Sequence, residues 1–107
     1  MSDITYLAEN VLSVIRETPE YRDYARLLKE LQKDPALYAR VNEMREKNFL
    51  AHQSENEDLM DFVDALTNEY DDVIAMPVVT DFIEAEAAFC KMMQEFNDTL
   101  TYGLEFD

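Results

Sequence analysis

The sequence predicts an all-α protein: about five amphipathic helices in an elongated bundle, closed by a long C-terminal helix. Three observations carry this. Apolar residues recur at steps of three and four, the period of a helix, and nowhere alternate for long enough to suggest a strand. The prolines fall at Thr18-Pro19, Asp34-Pro35 and Met76-Pro77, as punctuation between periodic segments. The 107 residues include a single glycine, too few for a glycine-turn-rich β protein.

The elements follow in order. Ser2 or Asp3 can cap a first helix, whose stripe is Ile4, Leu7, Ala8, Val11, Leu12 and Ile15. Thr18-Pro19 ends it and starts a second, since Thr is a good N-cap and Pro suits the first helical position. Tyr24, Leu27, Leu28 and Leu31 form the inner face of the second helix. Asp34-Pro35 repeats the device, and Leu37, Val41 and Met44 make the inner stripe of a third helix, flanked by Tyr38 and Phe49. Residues 51–56 contain neither Pro nor Gly, but Ser54 and Glu57 have the spacing of a capping box, which favours a break there. A fourth helix then carries Leu59, Phe62, Val63, Leu66, Tyr70 and Val73, until Met76-Pro77 breaks it. The fifth runs from about Val78 to Tyr102 with the stripe Val79, Phe82, Phe89, Met93, Phe96 and Leu100, and Gly103 is a natural stop.

The formal charge is −15, and it is uneven: residues 1–53 are nearly balanced at −1, whereas residues 54–107 carry −14 with Lys91 as their only base. So acidic a chain is a poor binder of phosphate backbones, which need clustered Lys and Arg. The expectation is no direct nucleic-acid contact. An apolar content of 48% separates the chain from disordered acidic tails. The start, MSDITYLAEN, lacks a basic region and a long apolar run, so it does not read as a secretory signal. No stretch reaches the ~18 apolar residues of a membrane span. A single-domain cytoplasmic protein is expected.

Chemistry is scarce. His52 is the only histidine, and no helical Glu-x-x-His motif accompanies it. Cys90, the only cysteine, lies near the apolar face of the last helix and reads as a buried, inert thiol. Glu69, Asp71 and Asp72 lack the alternating ligands and central glycine of a calcium loop and read as a solvated helix end. No catalytic, cofactor-binding or metal residues are expected, and no enzymatic activity.

Three features stand out instead. Arg22, Arg26, Lys29 and Lys33 fall on the outer face of the second helix, and Glu57, Asp61, Asp64 and Asp71 on the outer face of the fourth. These opposed stripes are candidate partner-binding faces. Glu86 interrupts the apolar stripe of the last helix, so it should be partly buried and meet a cation or hydroxyl donor, with Arg40, Arg45 and the tyrosine hydroxyls as candidates. Met93, Phe96 and Leu100, with Leu104 and Phe106 beyond Gly103, form an apolar row expected to bury itself against a second copy, giving a homodimer or larger even-numbered oligomer.

The segment PEYRDYARLLKELQKDP with Tyr21 and Tyr24, then ARVNEMREKN, then PVVTDFIEAEAAFCKMMQEFNDTL resembles the YlbF/YmcA family of small helical bacterial proteins, including its YheA-like branch. The resemblance spans nearly the whole chain and implies a self-associating, regulatory protein. Its best understood members act in a complex linked to messenger-RNA processing by a membrane-anchored ribonuclease, and to competence, sporulation and biofilm formation. Some carry iron–sulfur clusters on several cysteines. Cys90 alone cannot hold one within a single chain, so no cofactor is expected. The functional expectation is a non-enzymatic regulator or adaptor working through protein contacts. The alternative is an acidic nucleic-acid mimic that blocks a DNA- or RNA-binding protein.

Overall fold

The computed structural model describes residues 2–53 and 59–104, and these form six helices: α1 (Asp3–Glu17), α2 (Pro19–Gln32), α3 (Pro35–Gln53), α4 (Leu59–Glu69), α5 (Asp71–Ile74) and α6 (Pro77–Leu104). Local chemistry sets the starts. The Ser2 hydroxyl accepts from the Thr5 amide (3.2 Å), the Thr18 hydroxyl from that of Tyr21 (3.2 Å), and the Asp34 carboxylate from that of Leu37 (3.2 Å). Each bond satisfies one of the amides that a helix start leaves without an intrahelical partner. Pro19, Pro35 and Pro77 each occupy the first helical position, where a missing N–H costs nothing. The capping pair Ser54 and Glu57 lies outside the described residues.

Two boundaries differ from the sequence expectation. The fourth predicted helix is two, α4 and α5, divided at Tyr70, whose backbone (φ −107°, ψ 22°) leaves the helical region. Gly103 does not stop the last helix. α6 continues through it to Leu104 for 28 residues, about 42 Å at 1.5 Å per residue. A glycine stops a helix only when its backbone turns left-handed, and its position in the sequence does not impose that turn.

Among the described residues a single cluster holds nearly all of the core: Leu27 and Leu31 of α2, Val41 and Met44 of α3, Leu66, Tyr70 and Val73 around the α4–α5 turn, and Val79 and Phe82 of α6, with Ala51 of α3 buried outside it. α2 lies along α6, and the contact is aromatic. Tyr24 stacks on Phe82 (centroids 5.7 Å) and on Phe89 (5.2 Å), and Tyr21 meets Phe89 edge-on (5.6 Å). All the buried residues of α6 lie in its first six positions, Pro77 to Phe82. Phe49 and Phe62, expected to flank or line inner stripes, are exposed at 60% and 45%. Cys90, expected to be buried, is also exposed. One residue past Phe89 turns it about 100° around the helix, away from α2.

The radius of gyration is 17.4 Å, and the molecule measures 49 × 38 × 21 Å. A compact chain of this length would have a radius near ~13 Å. The excess comes from α1 and the second half of α6, which project beyond the shared core without a buried residue between them.

Candidate protein-docking site

α1 and the distal half of α6 face each other across an open groove of about 810 Å³. From α1 it is lined by Ile4, Leu7, Ala8, Val11, Leu12 and Ile15, the whole of the predicted stripe. From α6 it is lined by Met93, Phe96, Thr99, Leu100, Gly103 and Leu104. No lining residue is charged, on a chain of net charge −15. Several of these side chains stand largely in water: Ile4 at 73% exposure, Leu7 at 59%, Leu100 at 51% and Leu104 at 68%. Phe96 and Met93 are half-buried, and Phe106 lies outside the described residues. The described part of the sequence row on α6, Met93 to Leu104, thus lines this groove, with Leu100 and Leu104 its exposed members. The sequence reading missed that α1 forms the facing wall, because an amphipathic stripe does not say which element it will meet.

Glu86 lies one turn beyond Phe82. Arg45 of α3 reaches it with both arms of its guanidinium: Nε donates to Oε1 at 3.2 Å, and the terminal NH2 group donates to Oε2. The same guanidinium covers the Phe82 ring at 5.4 Å and donates to Asn42 Oδ1 at 3.0 Å. Arg45 thus closes the core where the apolar stripe of α6 is interrupted. The side chains keep 38% and 23% exposure, so this is a half-buried tie. Burial, and then the neighbouring Glu86 carboxylate, push the Tyr24 phenol above its ordinary range. Arg40, the other candidate partner of Glu86, pairs with Asp72 instead.

A second polar assembly surrounds Tyr70, which the sequence showed only as a core position. Its ring is buried between two cations of α3, Arg40 (5.4 Å) and Lys47 (5.3 Å), and its hydroxyl donates to Glu43 Oε1 (2.6 Å). Lys47 also meets Glu43 (3.3 Å) and Glu69 (2.9 Å). The Tyr70 hydroxyl, and after it Lys47, hold the Glu43 carboxyl below its usual range, and Arg40 does the same for Asp72. Glu69 raises Lys47, chiefly through its hydrogen bond. Glu69, Asp71 and Asp72 are all exposed, as a solvated helix end would be; Glu69 and Asp72 also pair with Lys47 and Arg40 of α3, and Asp71 has no ion pair among the described residues.

The charged stripes are surface features. Arg22, Arg26, Lys29 and Lys33 are exposed on α2. Arg26 has Asp23 as a neighbour at 3.9 Å, and Lys33 has Glu30 at 2.8 Å. Asp61 and Asp64 are exposed on α4 without an ion pair among the described residues, and Glu57 lies outside them. His52 is exposed on the last turn of α3. Among the described residues no three His, Cys, Asp or Glu side chains are grouped to hold a metal ion. No described helix is long and apolar enough to cross a membrane.

The profile of a family described as control of competence regulator ComK, YlbF/YmcA, matches residues 4–105. No curated protein and no solved structure matches the chain.

Proposed function

The chain belongs to the YlbF/YmcA family, and from that premise we propose that it is a cytoplasmic regulator without catalysis of its own, an adaptor that works through protein contacts. The uncharged groove between α1 and α6 supports this reading. Ile4, Leu7, Leu100 and Leu104 stand in water beside one another on an otherwise strongly charged molecule, and contiguous apolar surface of that kind marks a protein interface. In this reading the groove self-associates, and the acidic face with Asp61, Asp64 and Asp71 receives a basic partner. The association with an RNA-processing ribonuclease, and through it with competence, sporulation or biofilm formation, rests on the family resemblance.

Two measurements test the reading. Affinity purification from the native cell, with mass spectrometry, should recover subunits of a ribonuclease complex. Recovery of a DNA- or RNA-binding protein that nucleic acid displaces would instead favour the mimic. Light scattering at micromolar concentration should give an oligomer that Phe96→Asp dissociates with little change in helical content. A stable wild-type monomer would overturn the self-association.

A further inference from the structure

The α1 stripe has a symmetry that its place in the groove makes meaningful. About a point midway between Glu9 and Asn10, its positions exchange in like pairs: Ile4 with Ile15, Leu7 with Leu12, Ala8 with Val11. Just outside the stripe the same operation exchanges Asp3 with Arg16, an acid with a base. Both are exposed, and neither has an ion pair among the described residues. Each already suits its own helix end, acid near the start and base near the finish. The spacing alone would produce a symmetric set of positions. The matching of residue types and the opposite charges at the ends are separate facts.

A two-fold contact brings the same patch of two copies together, so residue i meets j while j meets i. We propose that two copies associate through α1, packed antiparallel on its own copy about a dyad between Glu9 and Asn10, with each α1 seated in the partner's groove against the distal half of α6. This rests on the reading that the groove self-associates, and it names the occupant and its direction. Ile4 then meets Ile15 of the other copy, and Leu7 meets Leu12. Small Ala8 and Val11 let the helices approach at the centre. Two Asp3–Arg16 pairs flank the stripe, at the rim where the rest of the acidic surface can stay in water. α1 and α6 of each copy supply two helices apiece, so the contact closes a four-helix bundle, the usual way for such a two-helix layer to bury its face.

A parallel arrangement, or one built on α6 alone, would place these residues differently, and cross-linking distinguishes them. With Cys90→Ser as background, Ile4→Cys protein is mixed with Ile15→Cys protein and oxidised. A disulfide should form between position 4 of one copy and position 15 of the other, in preference to 4–4 or 15–15, whose sites lie about 16 Å apart along antiparallel helices. Preferential 4–4 and 15–15 products, or an oligomer that yields no cross-link, would overturn the proposal while leaving self-association standing. A monomer in the same sample would overturn both. Charge exchange is a second test. Asp3→Arg and Arg16→Asp should each weaken the dimer by about tenfold, since each places like charges together twice. The double variant should return to within about threefold of wild type. The helix dipole acting alone predicts that the double variant is weaker than either single one, and that result would also overturn the proposal.

Discussion

Two charged side chains, Arg45 and Glu86, show what sets the worth of an ion pair. Exposed pairs contribute about 0.2–1 kcal/mol, and breaking a fully buried one costs about 3–5 kcal/mol. This pair sits between the limits, with two hydrogen bonds and an aromatic face beneath the guanidinium. Glu86→Ala should therefore cost about 1–2 kcal/mol in denaturant unfolding, and Glu86→Gln less, because an amide keeps one acceptor for Arg45. Unchanged stability in the Ala variant would show the tie to be idle. Glu43 makes a prediction in pH. Its folded carboxyl lies below the ordinary value of about 4.3, so its bonds to Tyr70 and Lys47 stabilise fully above that value. The contribution is lost as pH falls through the lower folded value. The melting-temperature gap between wild type and Glu43→Gln should accordingly be constant near neutrality and close in acid, and a gap that widened in acid would contradict the assignment.

Among the elements, α6 and the α4–α5 break are the instructive ones. Gly103 is helical, and the place a side chain would fill has nothing within 4 Å. Gly103→Ala should thus strengthen the end of α6, by up to the ~0.5–1 kcal/mol that separates the two residues in a helix. The measurement is helical content by circular dichroism together with amide exchange of the last turn. A left-handed stop at Gly103 would give the opposite sign. The break at Tyr70 has no such punctuation, and its cause is tertiary. Arg40 and Lys47 enclose the Tyr70 ring, Glu43 takes its hydroxyl, and the chain bends to keep that ring in the core. Nothing in residues 66–74 read in isolation contains this, because the three partners lie some 23 to 30 positions earlier.

For the molecule as a whole, charge and shape act on different processes. A net charge of −15, concentrated in residues 54–107, sets a long-range field, and the groove is a short-range feature. Association of the acidic face with a basic partner should weaken as salt rises through ~0.1 M, where the Debye length is about 10 Å. Asp61→Lys with Asp64→Lys should slow association more than it speeds dissociation, as stopped-flow or surface-capture kinetics would show. Salt-independent binding would assign that partner to an apolar surface.

What the sequence determined by itself is whatever local chemistry decides. The helical period, the caps at Ser2, Thr18 and Asp34, and prolines placed to open helices gave the all-α class and most element ends. The charge count, the apolar row on α6 and the isolation of Glu86 within a stripe were also legible, since each is a matter of residue types at known spacing. Only the tertiary structure decided that Arg45 rather than Arg40 meets Glu86, that Tyr70 divides a helix, that Cys90 faces water and that α1 forms the second wall of the groove. Periodicity fixes which face of a helix is apolar, a property of 3.6 residues per turn. Which partner that face meets depends on the crossing of helices distant in sequence, and that is settled by the packing of all of them at once.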